Sequence, residues 1–202
     1  RPKGIPLIID NTASPVICKP LAHGAAIVMH SLTKYIGGHG TSIGGIVVDG
    51  GNFDWTKNRK RQPLLNEPDQ SYGGAVWIDA VPQLTGANIP FVIRLRVVLL
   101  RDTGAPLAPF NAWQIIQGLE TVGLRMKQHC SNAEKVVTFL ETQKKVQNVI
   151  YPTNHQGEIK ERALKYMKGG YGSLVGMDVG TKENGAKFID NLKMLYHVAN
   201  IG

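Results

Sequence analysis

The sequence predicts an α/β fold in which short apolar strands form an open parallel sheet. One apolar run, residues 6–9, ends at Asp10, and a second run, residues 25–29, ends shortly before Lys34. Short apolar runs bounded by turn residues are typical of buried parallel strands. Later segments alternate between helical and strand patterns, which is the order expected when helices pack against a sheet.

The first half of the chain is predicted to contain the sheet and a following group of helices. Residues 5 to about 50 alternate between strand and loop patterns, with a further strand at 44–48. Residues 71 to about 101 are predicted to be mostly helical, because apolar residues recur there at helical spacing. These residues are Val92, Leu95, Val98 and Leu99. Pro106 and Pro109 interrupt the pattern, and Pro109 suits the first turn of the next helix.

That next helix is predicted to run to about residue 140 and to join two domains. Its apolar positions include Trp113, Ile116, Leu119, Val136, Val137 and Leu140. A strand at 146–151, a helix at 159–167, a strand at 174–179 and a helix at 185–192 should follow. We therefore predict a large domain at 1–108, and a linking helix with a smaller α/β domain at 109–202.

Composition limits the class of protein but does not identify it. With 202 residues, 43% of them hydrophobic, the chain can bury a substantial core. It contains no apolar run of about eighteen residues and no signal-peptide pattern, so we expect a cytoplasmic protein without a membrane span. Cys18 and Cys130 lie far apart, which favours free thiols in a reducing compartment over a disulfide. We expect no metal site, because Cys and His residues are not clustered at ligand spacing.

The net charge of +8 is concentrated most densely at residues 57–61, Lys-Asn-Arg-Lys-Arg. Such a run can indicate nucleic-acid binding or a targeting signal. No aromatic residues interleave it, as a single-strand binder would require. We therefore predict a solvated loop and no nucleic-acid partner.

The chemistry of the sequence centres on Lys34 in the segment 30–40, HSLTKYIGGHG. A lysine at the end of a buried strand, flanked by the hydroxyls of Ser31 and Thr33, is poorly explained as a surface charge. The carboxyl ends of parallel strands meet at the edge where open α/β sheets bind ligands, so Asp10 and Lys34 are expected there. An amine, an acid and hydroxyls suit pyridoxal 5'-phosphate (PLP). Lys34 would form the Schiff base, Asp10 would hold the pyridine nitrogen protonated, and the hydroxyls would take the phosphate.

Structural roles for the same residues remain as alternatives. Asp10 could form an Asx turn, and Ser31 and Thr33 could cap strand ends. His39 is predicted to be structural, and the sequence leaves open whether Tyr35 packs or touches the site. The glycines at 37, 38 and 40 are expected to allow positive φ and a close turn. They do not complete a GxGxxG motif, and Lys34 precedes them, so they form no GxxxxGK[ST] loop either.

Segments 10–12 (DNT) and 30–40 resemble the PLP-dependent enzymes of Cys/Met metabolism. That family includes cystathionine synthases and lyases, methionine γ-lyase and the O-acetylhomoserine sulfhydrylases. The segments most similar to the sulfhydrylases are 41–45, 52–55 and 67–72. Further similar segments, which extend the resemblance over nearly the whole chain, are 108–113, 117–121, 124–126, 188–193 and 199–202.

The resemblance implies a PLP-dependent transferase of fold type I, here part of the large cofactor domain and part of the smaller C-terminal domain. It implies that Lys34 is catalytic and that Asp10, Ser31, Thr33 and Lys34 bind the cofactor. The implied reaction replaces the acetyl ester of O-acetyl-L-homoserine with sulfide or methanethiol, giving homocysteine or methionine. A cystathionine γ-synthase, cystathionine γ-lyase or methionine γ-lyase is the alternative within the family.

The resemblance also implies a homotetramer built from two dimers, and it indicates that both ends of the chain are cut. The family pattern places a phosphate-binding loop and a ring-stacking aromatic before residue 1. It places an arginine for the substrate carboxylate after residue 202. We therefore expect a piece of a roughly doubled polypeptide, and an inactive fragment or assembly domain is the non-enzymatic alternative.

Overall fold

The computed structural model describes residues 3–198 and 200–201, which fall into two compact units. The first unit takes in the chain up to residue 11, residues 20–31 and residues 44–113. The second takes in residues 12–19, residues 32–43 and the chain from residue 114 onward. The domain boundary at 108/109 stays a prediction.

The first unit contains a three-stranded sheet of β1 (Ile8–Asp10), β2 (Ile27–Ser31) and β3 (Gly45–Asp49), in that order. The predicted parallel pairing of β1 with β2 is confirmed, and β3 runs antiparallel to β2. Residues 25–28 are buried, but Ile8 is 49% exposed. The prediction of burial is therefore wrong for β1, which pairs on one side only among the described residues.

The helical stretch that follows is also confirmed, but it is broken. It comprises α1 (Pro63–Asn66), α2 (Trp77–Thr85), α3 (Pro90–Arg94), a π-helical turn at Leu95–Leu100, and α4 (Arg101–Thr103). Gly86 ends α2 in the left-handed conformation, at φ 69°, which glycine adopts at little cost.

The core of the first unit is aromatic. Ala26 and Ile27 of the sheet region are buried in one cluster with Phe53, Trp55 and Trp77, and Trp55 stacks on Phe91 at 5.5 Å. The basic run is exposed and contains a short helical turn at Arg59–Arg61, as predicted for a solvated loop.

The long helix α5 (Pro109–Glu141) has 33 residues and confirms the predicted span. Its buried stripe differs from the apolar residues that predicted it. The buried positions are Ile115, Gly118, Val122, Met126, Cys130, Ala133 and Val137. Trp113, at 54%, is exposed, and so are Ile116, Leu119 and Val136. The stripe includes a glycine, an alanine and a cysteine, which carry little hydrophobic signal, so the sequence pattern favoured the wrong face.

The rest of the second unit matches the predicted order of elements within a few residues. It contains β4 (Asn148–Ile150), α6 (Gly157–Tyr166), β5 (Gly176–Asp178) and α7 (Lys182–Asp190), with β4 and β5 antiparallel. In the part of the chain that the structure describes, no single helix has both the length and the apolar character to cross a membrane. The bent pair Trp77–Thr85 and Pro90–Thr103 meets both conditions only when its halves are taken together.

Candidate functional site

Asp10 and Ser31 lie at the same edge and on the same face of the first unit's sheet. Asp10 is in register with Met29, and Ser31 follows two residues later on β2. Because side chains alternate along a strand, Met29 and Ser31 share a face with Asp10. Asn11 continues the pairing, since its backbone N–H donates to the Met29 carbonyl at 2.9 Å. A carboxylate and a hydroxyl therefore lie on one face of the sheet where β1 and β2 end, and Asp10 is at the sheet edge where the sequence predicted it.

His30 was not singled out by the sequence as a site residue. It occupies the other face of β2, and its Nδ1 is buried without a hydrogen-bond partner among the described residues. Burial lowers the pKa of His30, while the charge of Asp10 and a backbone hydrogen bond with Asn11 act in the opposite direction. The neutral imidazole of His30 is thus favoured.

Lys34 lies in the second unit, directly after β2 ends. The chain turns through a single π-helical turn, Leu32–Ile36, closed by a hydrogen bond from the Gly37 N–H to the Leu32 carbonyl at 2.9 Å. Lys34 itself departs from helical geometry, at φ −92° and ψ −125°. π-helical turns are frequent at functional sites. The turn begins immediately after Ser31, so Lys34 lies just past the end of a strand, where the sequence placed it.

The amine of Lys34 is bound to a neutral group. Its Nζ donates to Oδ1 of Asn200 at 2.5 Å, and the side chain is partly buried. Asn200 belongs to the similar segment 199–202. Two members of that segment, Ala199 and Gly202, lie outside the described residues. An amide partner, unlike a carboxylate, does not fix the amine in an ion pair, so Nζ can exchange this bond for another partner.

Thr33 precedes Lys34 in the same turn and is partly buried. It borders a cavity of about 10 Å³, roughly the space of one water molecule. That cavity is too small for an organic ligand. On the other side of it, the hydroxyl of Ser42 donates to Oε1 of Gln114 at 2.6 Å.

The glycines after Lys34 form the predicted tight turn. Gly38 and Gly40 both have φ of 66°, in the left-handed region, as expected. Gly37 does not have a positive φ, so the prediction that it needs one was wrong. A Cβ on Gly37 would lie 2.6 Å from the Leu32 carbonyl oxygen, so space alone requires a glycine there.

Tyr35 and His39 contribute to packing and to the turn. Tyr35 is buried, its hydroxyl is hydrogen-bonded to Oγ of Ser173 at 2.6 Å, and its ring meets His129 edge-on at 5.5 Å. His39 is exposed, and its Nδ1 donates to the Gly37 carbonyl at 2.6 Å. The question that the sequence left open for Tyr35 is therefore answered in favour of packing.

Two residues of α5 that sequence reasoning missed, Gly118 and Arg125, contact the Lys34 turn directly. The Arg125 guanidinium donates to the carbonyls of Tyr35 and Ile36. Gly118 packs against the backbone of Gly37. Both lie in segments that carry the family resemblance, 117–121 and 124–126. Their contacts are to backbone atoms, however, and no pattern of residue types reveals such contacts.

Comparisons with known proteins identify the family of this chain and several of its relatives. A family model described as Cys/Met metabolism PLP-dependent enzyme matches residues 1–202. An O-acetyl-L-homoserine sulfhydrylase of Leptospira meyeri is 46% identical over 98% of this chain and 46% of its own length. The chain thus spans about half the length of the curated relatives it matches.

Solved structures are similar to nearly the whole chain. A crystal structure described as an O-acetylhomoserine (thiol)-lyase from Campylobacter jejuni, with N'-pyridoxyl-lysine-5'-monophosphate, has a TM-score of 0.83 and 35% identity. It is matched over 98% of this chain and 48% of its own. A cystathionine γ-lyase from Lactobacillus plantarum, complexed with L-serine, has a TM-score of 0.70 and 28% identity, over 98% and 42% of the two chains.

Proposed function

Because the chain belongs to the Cys/Met metabolism family of PLP-dependent enzymes, we propose that it carries the cofactor lysine of a sulfhydrylase that acts on O-acetyl-L-homoserine. Its fold is that of the PLP-dependent transferases of fold type I, as the resemblance implied. The observation that carries the proposal is Lys34, which leaves helical geometry in a one-turn π-helix immediately after a strand and donates through Nζ to the neutral amide of Asn200.

The residues present suit PLP by their chemistry. Lys34 offers an amine for covalent attachment, and Asp10 offers an exposed carboxylate to hold a proton on the pyridine nitrogen. Ser31 and Thr33 offer hydroxyls to the phosphate. Ser31 stands on the same face and edge of the sheet as Asp10, and Thr33 is two residues further along the chain. This is the donor set that an anionic, basic and electrophilic cofactor requires.

When bound, PLP would supply an electron sink for the bonds at Cα of the amino-acid substrate. Lys34 would take the Cα proton of the substrate on Nζ, then a Cβ proton, and would later return them. Asp10 would keep the ring nitrogen positively charged, because a carboxylate stabilises a proton on a neighbouring base. The hydroxyls of Ser31 and Thr33 would orient the phosphate and so hold Cα near Nζ.

In the proposed net reaction, the C–O bond at Cγ of O-acetyl-L-homoserine breaks and a C–S bond forms at the same carbon. The electron pair of the broken bond leaves with acetate, and the sulfur of hydrogen sulfide or methanethiol supplies the new pair. The thiol loses one proton when its sulfur bonds to Cγ, and this positive charge balances the negative charge of the acetate that leaves. The products are homocysteine or methionine together with acetate, and no oxidant or reductant is needed.

The family alternatives are a cystathionine γ-synthase, a cystathionine γ-lyase or a methionine γ-lyase. Two observations favour the sulfhydrylase. The curated relatives with 46% and 42% identity are named sulfhydrylases. The structure described as a thiol-lyase also superimposes better than the cystathionine γ-lyase does. We further propose a homotetrameric, cytoplasmic enzyme, and Cys18 and Cys130, which form no disulfide in the described part of the chain, suit a reducing compartment.

The test is an assay of the complete gene product with O-acetyl-L-homoserine and sulfide, with homocysteine measured as product. Lys34→Ala should abolish turnover, and Lys127→Ala, an exposed lysine of α5, should leave it unchanged. Release of a 2-oxo acid from homocysteine or cystathionine, without thiol transfer, would favour a lyase. Absence of every one of these activities in a folded, PLP-supplied protein would favour the non-enzymatic alternative.

A further inference from the structure

The turn that carries Lys34 ends with backbone carbonyls that a longer helix would have bonded. Leu32–Ile36 is a single turn, and the carbonyls of Leu32 and Lys34 accept bonds from the N–H groups of Gly37 and Gly38, at 2.9 and 2.8 Å. The carbonyls of Tyr35 and Ile36 come at its end, where Gly38 takes the chain into the left-handed region. Carbonyls at a helix end need donors from elsewhere.

Arg125 of α5 supplies those donors. Its Nη1 donates to the Tyr35 carbonyl at 2.6 Å, and its Nη2 donates to the Ile36 carbonyl at 3.0 Å. The same Nη2 donates to the Gly118 carbonyl at 2.8 Å, and Nε donates to Oγ1 of Thr121 at 3.1 Å. The planar guanidinium therefore joins the Lys34 turn to α5 through four bonds of fixed relative direction.

The guanidinium fits there because glycine faces it. A Cβ on Gly38 would lie 2.3 Å from Nη1 of Arg125, closer than any such contact tolerates. On the other side of the turn, a Cβ on Gly118 would lie 2.8 Å from the Ile36 carbonyl oxygen. The turn therefore contacts the backbone of α5 at Gly118 and the guanidinium of Arg125 directly. Because both contacts are made by glycines, no flexible side chain lies between the groups that could adjust if the turn moved.

The charge of Arg125 is directed at backbone carbonyls of this turn. Burial lowers the pKa of Arg125, because removing the guanidinium from water costs desolvation free energy that an exposed arginine does not lose. By contrast, Arg162 of the same unit is exposed and pairs with Glu158, its neighbour one helical turn away. A partly buried arginine with these bonds defines the position of what it binds, which includes the carbonyls of the two residues directly after Lys34.

We propose that Arg125 is a positioning residue for Lys34: by clamping the Tyr35 and Ile36 carbonyls, it fixes the backbone from which the Lys34 amine reaches the cofactor. This inference rests on the proposed function. Arg125 touches neither cofactor nor substrate in this assignment and acts through the turn. Loss of the clamp should therefore misplace Nζ and slow its reaction with the PLP aldehyde, while the fold persists.

The experiment uses the complete gene product, stripped of cofactor and mixed with PLP. The rate at which the visible band of the lysine–PLP bond appears is measured, and peptide mapping after borohydride reduction gives the fraction of Lys34 labelled. Arg125→Met should slow attachment on the order of tenfold or more, since small misplacements of reacting groups are costly. Arg125→Lys should fall between, because an amine cannot bridge two carbonyls as a guanidinium does.

Arg162→Met is the matched control and should react at the wild-type rate. Circular dichroism should show that Arg125→Met keeps the wild-type fold; if that variant does not fold, Arg125→Lys decides the question in its place. Wild-type attachment by a folded Arg125 variant would overturn the inference. Failure of the wild-type protein itself to label Lys34 would instead overturn the proposed function, so the two failures are distinguishable.

Discussion

Gly118 of α5 lies against Gly37, which follows the Lys34 turn, so closely that a Cβ on Gly118 would stand 2.0 Å from the Gly37 carbonyl oxygen. Glycine is usually unfavourable inside a helix, by roughly 0.5–1 kcal/mol relative to alanine. Here the absence of a Cβ permits a contact between the two backbones. As a result, the turn that carries Lys34 packs directly on the 33-residue helix α5.

This contact predicts opposite effects for two glycines of one helix. Gly118→Ala should destabilise the fold by about 1–3 kcal/mol or more, because the new methyl group overlaps backbone atoms that cannot move aside as a side chain would. Gly123→Ala is the matched control: a Cβ there meets nothing within 4 Å, so the helix should gain about 0.5–1 kcal/mol. Thermal unfolding measures both, and equal effects would contradict the close approach.

The second prediction concerns the cofactor lysine. Borohydride reduction of the PLP-loaded complete gene product, followed by peptide mapping, should place a phosphopyridoxyl group on Lys34. Lys34→Ala should lose the visible band and most turnover, because both the anchor and the base are removed. Label on Lys3, Lys19 or Lys57 in place of Lys34 would contradict the assignment.

The third prediction concerns Asp10. Asp10→Asn preserves the size of the side chain at the end of β1 but removes its charge. Cofactor should remain partly bound, while turnover should fall on the order of 10²-fold, as when a preorganised electrostatic group is lost. Asp54→Asn, a change at an exposed aspartate that bonds Thr56 within its own loop, is the control and should leave turnover unchanged. Near-normal turnover of Asp10→Asn would show that this carboxylate does not serve the ring nitrogen.

Local patterns in the sequence predicted much of the fold because they depend on neighbours along the chain. The apolar runs located β1 and β2, and Pro109 with helical spacing located α5 to within a residue at each end. Likewise, the glycines after Lys34 predicted a close turn, and Gly38 and Gly40 have the positive φ that was expected.

What the sequence missed depends on residues distant along the chain. Arg125 and Tyr35 are 90 positions apart, so their hydrogen bond has no local signature. The buried face of α5 was misassigned because Gly118 and Ala133 are small, while the more hydrophobic Trp113 and Ile116 lie exposed. The buried face of α5 is therefore the one whose small residues allow close packing, and not the one with the most hydrophobic side chains.

The fourth prediction is a pH dependence that arises from Tyr151. This side chain is 1% exposed and donates to the Gly172 carbonyl at 2.9 Å, and burial raises its pKa to about 12. The unfolded chain loses this proton near pH 10, so it binds fewer protons than the folded chain between about pH 10 and 12. Stability should therefore fall as pH rises through that window. Tyr151→Phe should flatten the fall in unfolding temperature, and an unchanged pH profile in that variant would exclude Tyr151 as its source.

The last prediction concerns residues 1–202 expressed alone. Large apolar side chains are exposed in each unit, among them Ile8 and the neighbouring rings of Phe110 and Trp113 in the first. Such patches favour association, so light scattering should detect oligomers or aggregates. Changing Phe110 and Trp113 together to Glu should reduce association more than Leu84→Glu, because two neighbouring rings offer more apolar surface than a single leucine. The chain spans about half the length of its curated relatives, so we also expect no homocysteine from O-acetylhomoserine and sulfide with added PLP. A monodisperse, active preparation would show that these 202 residues complete the site by themselves.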